Sequence, residues 1–333
     1  MNAIPNLRDN SSVTARPDKI SLRCPQCGTA LGSISHSTTP FSTAITCAHC
    51  SFVLDHQRGI WLAFPPERQG YYKRFLTEYQ IVRAAEGRGS ADAGYYLALP
   101  FRDLSGRNHS QWSIRAQSYR YLEHELLPEL AQNRHGLDIL DLGAGNGWLS
   151  YRLSLLGHRP VAVDLLINDT DGLGAATHYL QKLEHLFPRF QAELDCLPFQ
   201  DAQFDCVIFN ASFHYSENYS KTLGEALRCL RADGVVIIAD TPWYSKEESG
   251  RLMLRERRSL FQQQFGFPSD ALASREFLTD RRLRELEKLF GIRWQIHHPS
   301  YGLRWSMRPM LAKVQGKREP SSFRIYVARL VKT

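Results

Sequence analysis

LDILDLGAGNGWLSYRL, residues 137–153, decides how this chain is read. An apolar run broken only by Asp138 and Asp141 is followed by three glycines in five positions, and then by a helix-forming stretch. The pattern predicts a strand, a sharp turn and the start of a helix. Gly143, Gly145 and Gly147 let the backbone turn tightly and approach a ligand where a side chain would stand in the way. Nicotinamide, flavin and S-adenosylmethionine sites all use turns of this kind.

Two features separate these ligands. Asp141 lies two residues before the first glycine, at the end of the strand. A carboxylate there repels a pyrophosphate but pairs with an ammonium. The glycines are also spaced G-A-G-N-G rather than G-x-G-x-x-G. Both favour S-adenosylmethionine, which has no phosphates. The next strand, PVAVDL, reaches Asp164, 17 residues after Gly147, where a carboxylate can accept both ribose hydroxyls.

Strands are expected near 138–142, 160–164, 189–194, 204–210 and 234–240, with later ones at 293–298 and 323–330. Helices are expected near 146–156, 172–186, 218–231 and 280–290. The alternation argues for an α/β protein with a parallel sheet. In order, DILDLGAGNG, VAVD, LPFQDAQFDCVIFN and LRADGVVIIAD resemble the class I S-adenosylmethionine-dependent methyltransferases, in particular the subgroup of the ubiquinone/menaquinone C-methyltransferases. The resemblance covers about residues 112–240. It implies a Rossmann-like, seven-stranded sheet whose last strand is antiparallel.

The resemblance also implies a site. The cofactor set is expected to be Asp141, Gly143, Ala144, Gly145, Gly147, Asp164, Leu165, Glu193, Leu194 and Asn210. Glu193 stands where the family usually has an Asp that reaches the adenine amino group, and Asp195 is the alternative. Asn210 and His214, in NASFHYS, fall at the edge facing the transferable methyl group. His214 is a candidate base, against the plainer reading that it packs beside the cofactor. Asp240 is a second candidate. No prolines follow Asn210, so the chemistry of planar exocyclic amines is not supported.

A separate motif opens the chain. Cys24 and Cys27, then 19 residues, then Cys47 and Cys50 form two C-x2-C pairs. This is zinc-ribbon spacing, each pair clamping one side of a tetrahedral Zn2+. Four thiolates close the coordination sphere, so the metal is structural. Cys196, Cys206 and Cys229 read as small buried hydrophobes.

The 333 residues suggest about two domains. The expected organisation is a flexible N-terminus (1–20), the ribbon (21–64), a helical connector (65–111) and the methyltransferase part (112–333). The connector's helical aromatics read as core. No apolar run approaches the ~18 residues of a membrane span, and the polar N-terminus lacks a secretory signal, so a cytoplasmic protein is expected.

The net charge of +7 hides an uneven distribution. Residues 1–135 carry 15 basic and 11 acidic side chains, residues 136–245 carry 7 and 14, and residues 246–333 carry 19 and 9. Basic segments with aromatics lie near 246–268 and 299–320, and the resemblance implies that these insertions form the substrate lid. Three functions follow: a methyltransferase of a small-molecule acceptor, an RNA methyltransferase favoured by the ribbon and the basic lid, or a non-enzymatic S-adenosylmethionine-binding scaffold. Oligomeric state is not legible.

Overall fold

In a computed structural model, the chain is described over residues 18–36, 44–132, 134 and 136–330. Most of the expected flexible N-terminus, residues 1–17, lies outside the described residues. The elements in chain order are β1 (Lys19–Arg23), β2 (Ala30–Ser35), β3 (Ile45–Thr46), β4 (Val53–Gln57) and β5 (Ile60–Leu62). Helices α1 (Pro66–Ala85), α2 (Ala93–Ala98), α3 (His109–Tyr121) and α4 (Leu127–Leu130) form the connector and the approach to the glycine turn. The core follows as β6 (Asp138–Leu142), α5 (Trp148–Leu155), β7 (Arg159–Asp164), β8 (Arg189–Gln191), β9 (Phe204–Asn210), α6 (Tyr219–Cys229) and β10 (Leu230–Ala239). The chain ends with α7 (Glu247–Phe265), α8 (Asp280–Phe290), β11 (Ile292–His297), α9 (Leu303–Ser306), α10 (Arg308–Val314) and β12 (Ile325–Leu330).

The strands order as β11-β12-β10-β9-β6-β7-β8-β5-β4-β3. The first seven are the expected methyltransferase sheet. Neighbours among β8, β7, β6, β9 and β10 pair in parallel, while β12 is antiparallel to both β10 and β11. Every residue of β6 is buried, Asp138 and Asp141 included, as expected of a strand covered on both faces. From β6 the chain winds one way through β7 and β8, then returns to lay β9 on the other side. The resulting crevice, at the carboxyl ends of β6 and β9, is where open α/β sheets bind ligands.

The ribbon is joined to this sheet. β5 pairs in parallel with β8, Trp61 opposite Phe190, and β4 and β3 extend the edge. The β1–β2 hairpin rests against the loop before β9, with the Arg23 amide donating to the Pro198 carbonyl and the Gln200 amide to that of Ser21. Leu22, Cys24, Cys47, Leu54 and Trp61 share one core with Phe190 and Phe199. The ribbon is therefore fused to the sheet edge.

Two helical stretches depart from simple α-helix. Instead of a helix over 172–186, a 3-10 helix spans Leu173–Gln181. Its start is pressed onto the Ile167–Asn168 backbone, where a Cβ on Gly174 would meet the Ile167 carbonyl at 2.8 Å. The helix approaching the glycine turn opens into a π-turn at Leu122–Leu126. Pro128, at the start of α4, has no amide proton to donate and its ring crowds the preceding turn.

Below the sheet, opposite the crevice, buried Asp138 and Asp205 bind three arginines. Arg159 and Arg231 reach Asp138 at 2.7 and 2.8 Å, while Arg134 and Arg231 each reach Asp205 at 2.9 Å. Asp205 also accepts the Asp138 amide at 2.9 Å. This cluster fixes the amino ends of β6, β7 and β9. Asp205→Ala leaves that amide without its acceptor and removes one carboxylate partner from each of Arg134 and Arg231, which keep Asp233 and Asp138. The expected loss is about 3 kcal/mol, at the low end for a broken buried pair because the arginines reach water. Urea unfolding should show a lower midpoint with an unchanged slope; an unaltered midpoint contradicts the role.

Candidate active site

The crevice opens into a cleft of about 1240 Å³, part of it continuous with solvent. Its floor begins at the end of β6. The turn after Leu142 places Gly143, Gly145 and Gly147 at φ values of +76°, +56° and +77°. A Cβ at Gly143 would stand 2.2 Å from that of Ser212, so only glycine lets the turn pass the end of β9. The amides of Gly143 and Ala144 both donate to the Val163 carbonyl, at 2.8 and 3.0 Å, tying the turn to β7.

Asp141 is buried beneath this turn and lines the cleft. One carboxylate oxygen accepts the Ser150 hydroxyl at 2.7 Å, and the other has no partner. Burial pushes the carboxyl up to about 7, opposed by the Ser150 hydrogen bond. Asp164, at the end of β7, accepts the Gly145 amide on one oxygen and the Leu166 amide on the other, each at 2.8 Å. It therefore organises the turn while its remaining lone pairs line the cleft.

Of the residues expected from sequence, Asp141, Gly143, Ala144, Gly145, Asp164, Leu165, Leu194 and Asn210 come together on the cleft wall. Asn210 ends β9 with its buried side-chain oxygen unpartnered. Four others stand off the wall. Gly147 packs on Phe187 and Ala176. His214 lies in a short 3-10 helix behind the wall, and burial pulls its imidazole down to about 4, leaving it neutral near pH 7.

Glu193 requires a correction: its carboxylate is held by Arg68 through two hydrogen bonds of 2.8 Å and by the Tyr72 hydroxyl at 3.0 Å. An acid so committed does not face an adenine. Asp195, the alternative, lines the cleft, and burial raises its carboxyl above the usual range. Asp240, the second base candidate, is off the wall and accepts the Ser118 hydroxyl.

The roof is where sequence reasoning missed most. Tyr72, Phe75, Leu76, Tyr79 and Arg83 of α1 all line the cleft. Tyr79 and Phe75 meet Tyr215 edge-on, with centroids 5.9 and 6.2 Å apart. Arg83 binds Asp171, which lines the same cleft. These aromatics, expected to be core, form a lid built from the connector. Conversely, neither 246–268 nor 299–320 contributes a residue to this wall. From α3 come Trp112 and Arg115, the guanidinium 4.7 Å from the ring centroid. Arg115 has no hydrogen-bond or ion-pair partner among the described residues. Burial pulls it down to about 10, still a cation near neutral pH.

The four ribbon cysteines also converge, their sulfurs all within 4.8 Å of one another. Two matching turns carry them. The Gly28 amide donates to the Cys24 carbonyl at 2.8 Å, and the Ser51 amide to that of Cys47 at 3.0 Å. Ser51 accordingly adopts φ +59°, the counterpart of Gly28 at +78°.

Residues 140–238 match the family described as "Methyltransferase domain". The chain carries a methyltransferase domain. Among curated proteins, this domain is similar to the malonyl-[acyl-carrier protein] O-methyltransferase of Yersinia pestis, at 25% identity over 145 residues, covering 44% of this chain and 51% of that protein. It is also similar to the ubiquinone/menaquinone biosynthesis C-methyltransferase of Blochmanniella floridana, at 30% over 118 residues, covering 35% and 46%. The chain spans about half the length of the curated relatives it matches. Among solved structures, a Burkholderia thailandensis 1,6-didemethyltoxoflavin-N1-methyltransferase aligns at 17% identity and a TM-score of 0.45, covering 90% of this chain and 96% of that one. The methyltransferase domain thus coincides with the strands and turns that build the cleft floor. No helix among the described residues is long and apolar enough to cross a membrane.

The buried Asp141 carboxyl gives a pH test. In the unfolded chain it titrates near 3.9; in the folded protein it titrates near 7. Its ionised form is the disfavoured one, so the destabilisation is absent below about pH 4, grows between pH 4 and 7, and is complete above. Asp141→Asn, which keeps an acceptor for Ser150, should raise the ligand-free melting temperature at pH 8, with the gain vanishing toward pH 4. A gain independent of pH contradicts this environment.

Proposed function

We propose that the protein is an S-adenosylmethionine-dependent methyltransferase acting on a small-molecule acceptor. The observation that carries the reading is Asp141, a buried acid with one unpartnered oxygen on the cleft wall beside the glycine turn. A ligand ammonium answers both its missing partner and its raised affinity for protons. The same cleft offers Asp164 for the ribose hydroxyls and Leu165, Leu194 and Asp195 for the adenine.

The cosubstrate's sulfonium supplies a methyl group that is already activated. The residues of this chain then have to bind, align and keep water out. Asn210 stands on the wall at the end of β9 and offers a side-chain amide to orient an acceptor. Tyr72, Phe75, Tyr79 and Tyr215 cover the cleft with aromatic surface. Arg115 offers a cation to any anionic group entering beneath that roof. With His214 neutral behind the wall, the arrangement favours an acceptor that needs positioning more than deprotonation.

The aromatic roof supports a small molecule over RNA, because the cleft wall carries aromatic surface and no residue of the basic segments that would grip a polyanion. The relatives' names also point away from RNA, since one names a malonyl-[acyl-carrier protein] and the other ubiquinone/menaquinone biosynthesis. At the ribbon, we propose that Cys24, Cys27, Cys47 and Cys50 hold one structural Zn2+. Four thiolates at this mutual distance suit its tetrahedral shell and leave no open position for catalysis.

Incubating the protein with radiolabelled S-adenosylmethionine and a total cell extract should place label in the small-molecule or lipid fraction. Label in RNA overturns the acceptor class, and cofactor binding without label in any fraction favours a scaffold. Asp164→Ala should weaken S-adenosylhomocysteine binding by about 1–3 kcal/mol, the loss of a charged acceptor, read by calorimetry. Unchanged affinity contradicts the ribose assignment. Metal analysis should find about one zinc per chain, removed by Cys24→Ser combined with Cys47→Ser; a zinc-free, folded protein overturns the metal assignment.

A further inference from the structure

The basic segment between β11 and β12 contributes no residue to the cleft wall, yet it is built in an unusual way. Its ends are anchored. The Tyr301 hydroxyl lies 2.9 Å from the Ser118 hydroxyl, and Arg318 donates to Glu256 at 2.6 Å. Between these anchors no residue is buried. α9 and α10 are hydrogen-bonded through their junction, Met307 to the Leu303 carbonyl and Leu311 to that of Met307, both at 3.0 Å. The two short helices therefore present nearly one continuous face.

That face carries Leu303, Met307, Met310, Leu311 and Val314, spaced as one side of a helix. All five are exposed, Leu303 by 84% and Val314 by 80%. Isolated exposed apolar residues are ordinary, but a contiguous row marks a contact surface. The helical positions of Arg304 and Lys313 flank the row on opposite sides. Arg308 stacks on Trp305 at 3.7 Å, and Lys317 follows. From Gly302 to Arg318 there is no acidic residue.

We propose that this segment docks the protein on an anionic lipid surface, with the five apolar side chains entering the interface and the basic residues meeting the headgroups. An apolar row bordered by cations, on a helix lying flat, is the arrangement by which interfacial helices bind bilayers without spanning them. The charge selects the occupant. A second copy would bring a like-charged face against this one, whereas anionic lipid supplies both the negative surface and the apolar depth. The protruding aliphatic and thioether side chains form a convex row, suited to a fluid partner.

The test is sedimentation of the full chain with vesicles of phosphatidylcholine, with or without about one third phosphatidylglycerol, and needs no enzymatic activity. The wild type should bind the phosphatidylglycerol vesicles about tenfold more tightly than the neutral ones, and lose that preference at high salt. Met310→Glu combined with Val314→Glu should weaken binding about tenfold, while melting temperature and S-adenosylhomocysteine affinity stay at wild-type values. If that variant misfolds, Met310→Ser with Val314→Ser serves instead, with the same direction expected. No binding to phosphatidylglycerol vesicles overturns the proposal, as does equal binding by the variants. So does a concentration-dependent dimer that the substitutions dissolve, or equally tight binding to polyglutamate that ignores them.

Discussion

The cleft depends on one close passage of backbone. Gly143 crosses the end of β9 so near to Ser212 that no side chain fits between them. Because it does, the end of β6 and the end of β9 share a single floor, and the turn swings Asp141 beneath the cleft while hanging from Val163 and Asp164. A bulkier residue at 143 would push β9 from the turn and carry Asn210 with it. The sheet order makes this passage necessary, since the chain leaves β6 in one direction and lays its next free strand on the other side.

Around that floor, parts distant in sequence are bound to one another by charge. Arg68 of α1 holds Glu193 after β8, and Arg83 of the same helix holds Asp171. These pairs seat α1 across the cleft, so its aromatics become the roof. The ribbon contributes indirectly. Its last strand pairs with β8 and α1 begins four residues later, so the four-cysteine segment sets where the roof helix starts. A structural ion there would stabilise the sheet edge and, through it, the cover of the site.

The sheet was largely legible because core strands such as β7 and β9 are apolar runs ended by a polar residue, at Asp164 and Asn210. The glycine turn and the cysteine pairs were legible because only a few geometries use those residues at those spacings. What escaped depends on long-range pairing. Glu193 occupies the position of an adenine contact, but its partner is 125 residues away in sequence. Tyr72, Phe75, Leu76 and Tyr79 have the spacing of a core stripe, and only the tertiary arrangement shows that a cleft lies beneath them. The resemblance implied a substrate lid for the basic segments; their position around α7, α9 and α10 could not be read from composition.

A crystal structure of the protein with S-adenosylhomocysteine bound is the most direct examination of this arrangement. The expected result is the ligand lying across the glycine turn, its ammonium on the free oxygen of Asp141, its ribose on Asp164, its adenine between Leu165 and Leu194, and Glu193 still held by Arg68. A ligand bound elsewhere, or one whose ammonium makes no contact with Asp141, would contradict it.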